Sequence, residues 1–126
     1  LTENSKIGVL HGAMQYVVQD AEGQIEETSS ISAGLDYSGV SPLHCFLKDT
    51  KRARYTSATD EEALNAYELV SSLESISPSL EPSHAFAEVI KIAPQLSEDT
   101  VCCVNSCGDS YKDKDIIKSR LGKYIR

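Results

Sequence analysis

The sequence has no tryptophan, no initiating methionine and no apolar run approaching the roughly 18 residues that span a bilayer. Nor does a basic stretch lead into an apolar one at the N-terminus, as it would in a secretory signal. These gaps predict a chain that is not a membrane protein. Basic residues are scarce as well: 12 Lys and Arg stand against 19 Asp and Glu, a net charge of −7 with a pI near 4.9. Phosphate backbones are bound by clustered Lys and Arg that displace counterions, so nucleic acid is excluded as the main partner and an anionic membrane surface is disfavoured. No Gly-rich phosphate loop, zinc-binding helix motif or nucleophile elbow is present, and there is no internal repeat or low-complexity tail. Because the chain starts at Leu1, it is expected to be a piece of a longer polypeptide.

What is there suits one domain: 126 residues, 40% of them apolar, enough to bury a core without disulfide or metal staples. Residues 1–126 are therefore read as a single α/β segment. Cys45, Cys102, Cys103 and Cys107 lack the spacing of a secreted disulfide framework. The neighbours Cys102 and Cys103 would point to opposite faces of a strand and could not share one metal, and His11, His44 and His84 show no paired spacing with the cysteines. Free thiols in a reducing, cytoplasmic location are expected.

Local patterns give the element order. A β-rich run at Tyr16, Val17 and Val18, the turn Asp20-Ala21-Glu22-Gly23, and then Gln24-Ile25 read as a hairpin within 8–27. Residues 28–42, rich in Ser and Gly, read as a loop, and Pro42 to Leu47 as a short helix. A strand at Arg54 to Ala58 runs into Thr59-Asp60-Glu61-Glu62, a capping box that should open a helix through Leu73, with Ala63, Ala66, Tyr67, Val70 and Leu73 on one face. Pro82 should open the next helix, with Ala85, Phe86, Val89, Ile90 and Ala93 on one face before Pro94 stops it.

Thr100 to Asn105, with Val101-Cys102-Cys103-Val104 free of charge, reads as a strand buried on both faces. A basic helix from Asp113 to Leu121 closes the chain. Strands alternating with helices predict a three-layer α/β fold around a parallel sheet. Cut from neighbouring strands, Val101 to Val104 would need cover, so self-association or a rearranged edge is expected.

Four constellations could carry chemistry. In Ser32-Ala33-Gly34-Leu35-Asp36-Tyr37, Asp36 can meet a ligand amine or hydroxyl, or bond its own backbone in a turn. Glu81, in Leu80-Glu81-Pro82-Ser83-His84, can serve a ligand or complement a helix dipole. Asn105-Ser106-Cys107-Gly108-Asp109 follows a strand, where open α/β sheets bind ligands, yet a plain strand-to-helix turn explains it equally. Lys112-Asp113-Lys114-Asp115 reads as a solvated first helical turn.

Taken in order, several of these blocks resemble the β chain of tryptophan synthase. They are Gly23-Gln24-Ile25-Glu26-Glu27, Ser30-Ile31-Ser32-Ala33-Gly34-Leu35-Asp36-Tyr37, Thr59-Asp60-Glu61-Glu62-Ala63-Leu64, Pro78, Leu80-Glu81 and Ser83-His84-Ala85. The likeness runs from about Gly8 to about Leu121 and corresponds to roughly the last third of a family chain. It implies a pyridoxal-phosphate enzyme of the second fold type, with two α/β domains and the cofactor between them, which condenses L-serine with indole to give L-tryptophan and water. It further implies the remainder of the β chain and an indole-releasing α chain as partners.

Residue by residue, the resemblance puts Asp36 at the substrate hydroxyl or at site closure and Glu81 near the cofactor ring. The serine that bonds the pyridine nitrogen falls on Cys107 or, with a one-residue shift, on Ser106, followed by Gly108. The carbonyls of Tyr37 and Gly39 are implied for a monovalent cation. Departures are visible: a thiol at Cys107, Ser75 where the family has glycine, Pro82 for a helix-capping serine, Ser38 for a proline. Whether the loop after Gly108 is longer by about two residues depends on which pair, Lys112-Asp113 or Lys114-Asp115, aligns. The family's Schiff-base lysine and Gly-rich phosphate cup have no counterpart here, so the segment alone should be inactive. A non-catalytic α/β remnant that binds a partner or small molecule is the rival reading.

Overall fold

The computed structural model describes Leu1 and residues 5–125, which fall into two compact units. The first holds 1–30 and 34–57, the second 31–33 and 58 onward.

In the first unit, β1 (Ser5–Leu10) and β2 (Ala13–Val18) pair antiparallel, from Ser5 opposite Val18 to Leu10 opposite Ala13. His11 and Gly12 join them with φ of 51° and 76°, the two left-handed positions that suit a tight hairpin. The expected pairing across Asp20 to Gly23 is present only in short form, with Asp20 donating its N–H to the Gln24 carbonyl at 3.0 Å and Glu26 donating its own to the Val18 carbonyl at 3.1 Å, and the strands are β1 and β2 instead. That turn does form, with Asp20 Oδ1 accepting the N–H groups of Glu22 and Gln24 at 3.0 and 2.8 Å, but only a single bridge, Gln19 to Ile25, follows it. Gln24, Glu26 and Glu27 offer little to a sheet face, whereas Ile7 and Val9 lie opposite Tyr16 and Met14.

Helix α1 (Pro42–Asp49) packs on β2. Ser41 caps it by accepting the Leu43 N–H, and Pro42 sits at its first position, where no N–H is needed. Cys45 Sγ accepts the Tyr16 N–H at 3.3 Å, and Tyr16 donates its hydroxyl to Asp49 at 2.8 Å. The helix runs two residues past the expected end. The segment from Arg54 to Ala58 carries no strand.

The second unit is built on α2 (Asp60–Glu74) and α3 (Leu80–Ile92), followed by α4 (Lys114–Leu121). The capping box of α2 forms as expected: Thr59 Oγ1 accepts the Glu62 N–H at 3.2 Å, and Glu62 accepts the Thr59 N–H at 2.8 Å. Ala63, Ala66 and Tyr67 are buried, but Leu73 is 70% exposed. Ser75 ends α2 at φ 57°, a left-handed position natural to glycine.

Helix α3 starts two residues before Pro82, and Leu80, Ser83 and Ala87 make its buried face, rather than Ala85 and Ile90. Leu80, Tyr67, Leu64, Ile117 of α4 and Ile31 form the core, with Leu121 and Tyr124 against it. The Tyr67 hydroxyl donates to the Ile125 carbonyl at 2.5 Å and fastens the chain end to this core.

Residues 100–105 form no strand, and Val101 is 86% exposed. An apolar strand of this kind needs partners on its edges and cover on both faces. The strands among the described residues make the two-stranded antiparallel hairpin only, so the fold is α/β and the expected three-layer parallel sheet is not formed among these residues.

Candidate functional site

Two segments of the second unit meet at the N-terminal end of α3. The stretch Ser75 to Pro78, leaving α2, lies beside Ser106 to Asp109, with an isolated bridge between Pro78 and Asp109. Ser79 donates its N–H to the Gly108 carbonyl at 3.2 Å and its hydroxyl to the Cys107 carbonyl at 3.1 Å. Ser110 donates its N–H to the Ser77 carbonyl at 2.9 Å, and the two hydroxyls are 2.6 Å apart. The result is a cleft of about 530 Å³ lined by Ser75, Ile76, Ser77, Pro78, Ser106, Gly108 and Asp109. Gly108 has φ 100°, a left-handed position that favours glycine, and a Cβ there would press on Ser79 Oγ at 3.1 Å. Ser106 lines the cleft; Cys107 is exposed, and its carbonyl serves Ser79.

Glu81 stands two residues into this bundle of contacts, in the first turn of α3. Lys112 Nζ donates to both of its carboxylate oxygens, at 2.7 and 3.0 Å, and to Asp113 Oδ1 at 2.8 Å. The other oxygen of Asp113 accepts the Leu80 N–H at 2.8 Å. Asp113 is buried, at 4% exposure. The Lys112-Asp113 pair is therefore the anchored one, and the expected solvated helical turn is instead a one-turn 3-10 helix, Ser110–Asp113, whose last residue is internal. Partial burial works against the Lys112 ammonium, but its hydrogen bonds to Asp113 and Glu81 outweigh that and hold its pKa above the ordinary 10.5.

In the first unit, Asp36 is exposed and accepts the Thr28 hydroxyl at 2.9 Å. Beside it the Tyr37 hydroxyl and His11 Nδ1 are 2.8 Å apart. A cleft of about 400 Å³ gathers Leu10, His11, Ile25, Glu27, Thr28, Asp36, Tyr37 and Ser38. The Ser38 carbonyl, between Tyr37 and Gly39, accepts the Val18 N–H at 2.8 Å. Sequence reasoning missed His11, Thr28 and Lys112. His11 reaches Tyr37 through the hairpin turn, which no local pattern announced. Lys112 could have been found from the Lys-Asp repeat, but only with the Asp113 contact to choose between the two pairs.

Relatives show what this chain is similar to. The tryptophan synthase β chain of Cereibacter sphaeroides is 56% identical over 115 residues, which is 91% of this chain and 28% of that one. The β chain of Roseobacter denitrificans is 54% identical over the same share, and that of Bordetella petrii 50% identical over 93% of this chain and 29% of its own. The chain is homologous to a part of the tryptophan synthase β chain. It spans somewhat more than a quarter of the length of these β-chain relatives. No family model matches it.

Proposed function

We propose that this chain is the C-terminal part of a tryptophan synthase β chain, which condenses L-serine with indole to L-tryptophan and water, and that it supplies one wall of the pyridoxal-phosphate site. The observation that carries this reading is the cleft at the start of α3. It has the volume for an aromatic ring, and the hydroxyl-bearing residues Ser75 and Ser106 lie along its lining, while the Ser77 hydroxyl is taken up by the Ile125 carbonyl and Ser110. That donor set fits a neutral pyridine nitrogen and ring oxygens. When bound, the cofactor supplies an electron sink that this polypeptide lacks.

Within that reading each residue has a task. Ser106, facing the cleft, is favoured over Cys107 as the partner of the ring nitrogen, because a hydroxyl donates and accepts more strongly than a thiol. Glu81, held by Lys112, would turn its carboxylate toward the cofactor ring. Asp36, exposed and held by Thr28, takes the substrate hydroxyl, and the carbonyls of Tyr37 and Gly39 hold a monovalent cation. Val101 to Val104 joins a parallel, helix-covered sheet contributed by the rest of the β chain, which accounts for its exposed apolar side chains. Residues 1–126 then form one α/β segment of a cytoplasmic enzyme that pairs with an α chain. No described helix is long and apolar enough to cross a membrane.

The test is the coding sequence upstream of Leu1 together with a spectrum. The reading requires a His-Lys pair and a Gly-rich cup upstream, and a visible cofactor absorbance in the complete chain that the 126-residue segment does not give. An upstream sequence with neither feature would leave the rival, a non-catalytic binding module, in its place.

A further inference from the structure

We infer that Lys112 is a positioning residue for Glu81: its ammonium clamps the Glu81 carboxylate to the buried Asp113, and so joins the first turn of α3 to the loop that carries Ser106 to Gly108. This rests on the function proposed above and adds a residue to it.

The geometry is specific. Two carboxylates, Glu81 and Asp113, converge on one helix start, where they would repel each other without a cation between them. Lys112 Nζ lies within 3.0 Å of both Glu81 oxygens and 2.8 Å from Asp113 Oδ1. Because both Glu81 oxygens are engaged, the carboxylate plane is set as well as its place. Asp113 cannot follow Lys112 outward, since its second oxygen is committed to the Leu80 N–H. The clamp is thus fixed at the inner end and holds Glu81 at the outer one.

The neighbouring lysine does not substitute for it. Lys114 Nζ lies over the Tyr111 ring, 5.3 Å from its centroid. Exposure also separates positioning from stability: the side chain of Lys112 is 50% exposed and that of Glu81 21%. An ion pair so open to water adds little to folding, yet it can still orient a carboxylate. The raised pKa of Lys112 agrees with this geometry, the facing groups being Glu81 from α3 and Asp113 from its own turn.

The experiment has two arms. In the 126-residue chain, the Lys112 side chain is titrated by NMR. It should titrate above the ordinary 10.5, fall in Glu81→Gln and in Asp113→Asn, and stay put in Lys114→Met. Titration at the ordinary value, indifferent to Glu81→Gln, overturns the clamp. In the complete β chain, Lys112→Met should lower kcat by about tenfold or more with the KM for L-serine unchanged, and should shift the pH profile of the cofactor absorbance. Lys112→Arg should recover most of both. Unchanged kcat and an unchanged profile in Lys112→Met overturn the positioning role even if the clamp is intact. If the unmutated complete chain binds no pyridoxal phosphate, the proposed function fails and takes the cofactor-facing role with it, while the first arm still decides whether Lys112 holds Glu81.

Discussion

Asp113 accepts the backbone N–H of Leu80 at 2.8 Å, so the first turn of α3 is capped by a carboxylate from 33 residues further along the chain. Ser79, in the N-cap position, makes no side-chain cap of its own and turns its hydroxyl to the Cys107 carbonyl. The start of α3 is therefore held by the loop after Asn105, and the cleft exists because of that exchange of partners.

Replacing Asp113 with Asn should destabilise the second unit by about 1–3 kcal/mol, because a buried N–H and an ammonium lose a charged acceptor. Asp115→Asn, at an exposed position on α4, should change stability by less than about 0.5 kcal/mol. Urea unfolding of the two variants followed by circular dichroism checks the contrast.

Ser75→Gly should stabilise the chain by about 1 kcal/mol. Ser75 holds φ 57°, where a Cβ is penalised and glycine is not. Thermal melting reads the change, and a lower Tm in the variant would contradict the left-handed end of α2.

The Glu62–Lys91 pair predicts an acid dependence. The Lys91 ammonium, and after it the Thr59 N–H, hold the Glu62 carboxyl below its ordinary value of 4.5. For a depressed carboxyl, the stability it adds is present above that ordinary value and is lost as the pH falls through the lowered one. Melting curves should show wild type and Glu62→Gln differing at about pH 6, with the difference shrinking as the pH falls below that ordinary value. A difference that grows on acidification would contradict the pairing.

Thiol labelling tests the exposed run. In the 126-residue chain Cys102, Cys103 and Cys107 are exposed and should react quickly, and Cys45, half-buried under the Tyr16 N–H, slowly. In the complete β chain Cys102 and Cys103 should become protected, since the proposed sheet covers them. Equal labelling in both forms would remove the parallel strand.

Much of the second unit was legible in the sequence. Thr59 and Glu62 announce the start of α2 locally, through contacts three residues apart, and the Ala63, Ala66, Tyr67 face follows from helical spacing. The start of α3 was misplaced by two residues because its cap comes from Asp113, a contact no window of neighbouring residues contains. The hairpin was misplaced for a similar reason: the turn at Asp20 to Gly23 is real, but pairing depends on which flanking strand offers side chains to the sheet, and Ser5 to Leu10 does. Val101 to Val104 carries a strand's composition without a strand's partners. Of the residues that line the cleft, Ser106 and Gly108 were visible as a loop motif after Thr100 to Asn105. Lys112 was not, since its role arises only where two distant segments close on each other.

The most direct test of the central claim is tryptophan formation from L-serine and indole by a polypeptide that joins this chain to the upstream part of the Cereibacter sphaeroides β chain. The account predicts product only with pyridoxal phosphate present, a marked loss in Ser106→Ala, and none from the 126 residues alone. A joined chain that folds and binds the cofactor yet yields no tryptophan would contradict it.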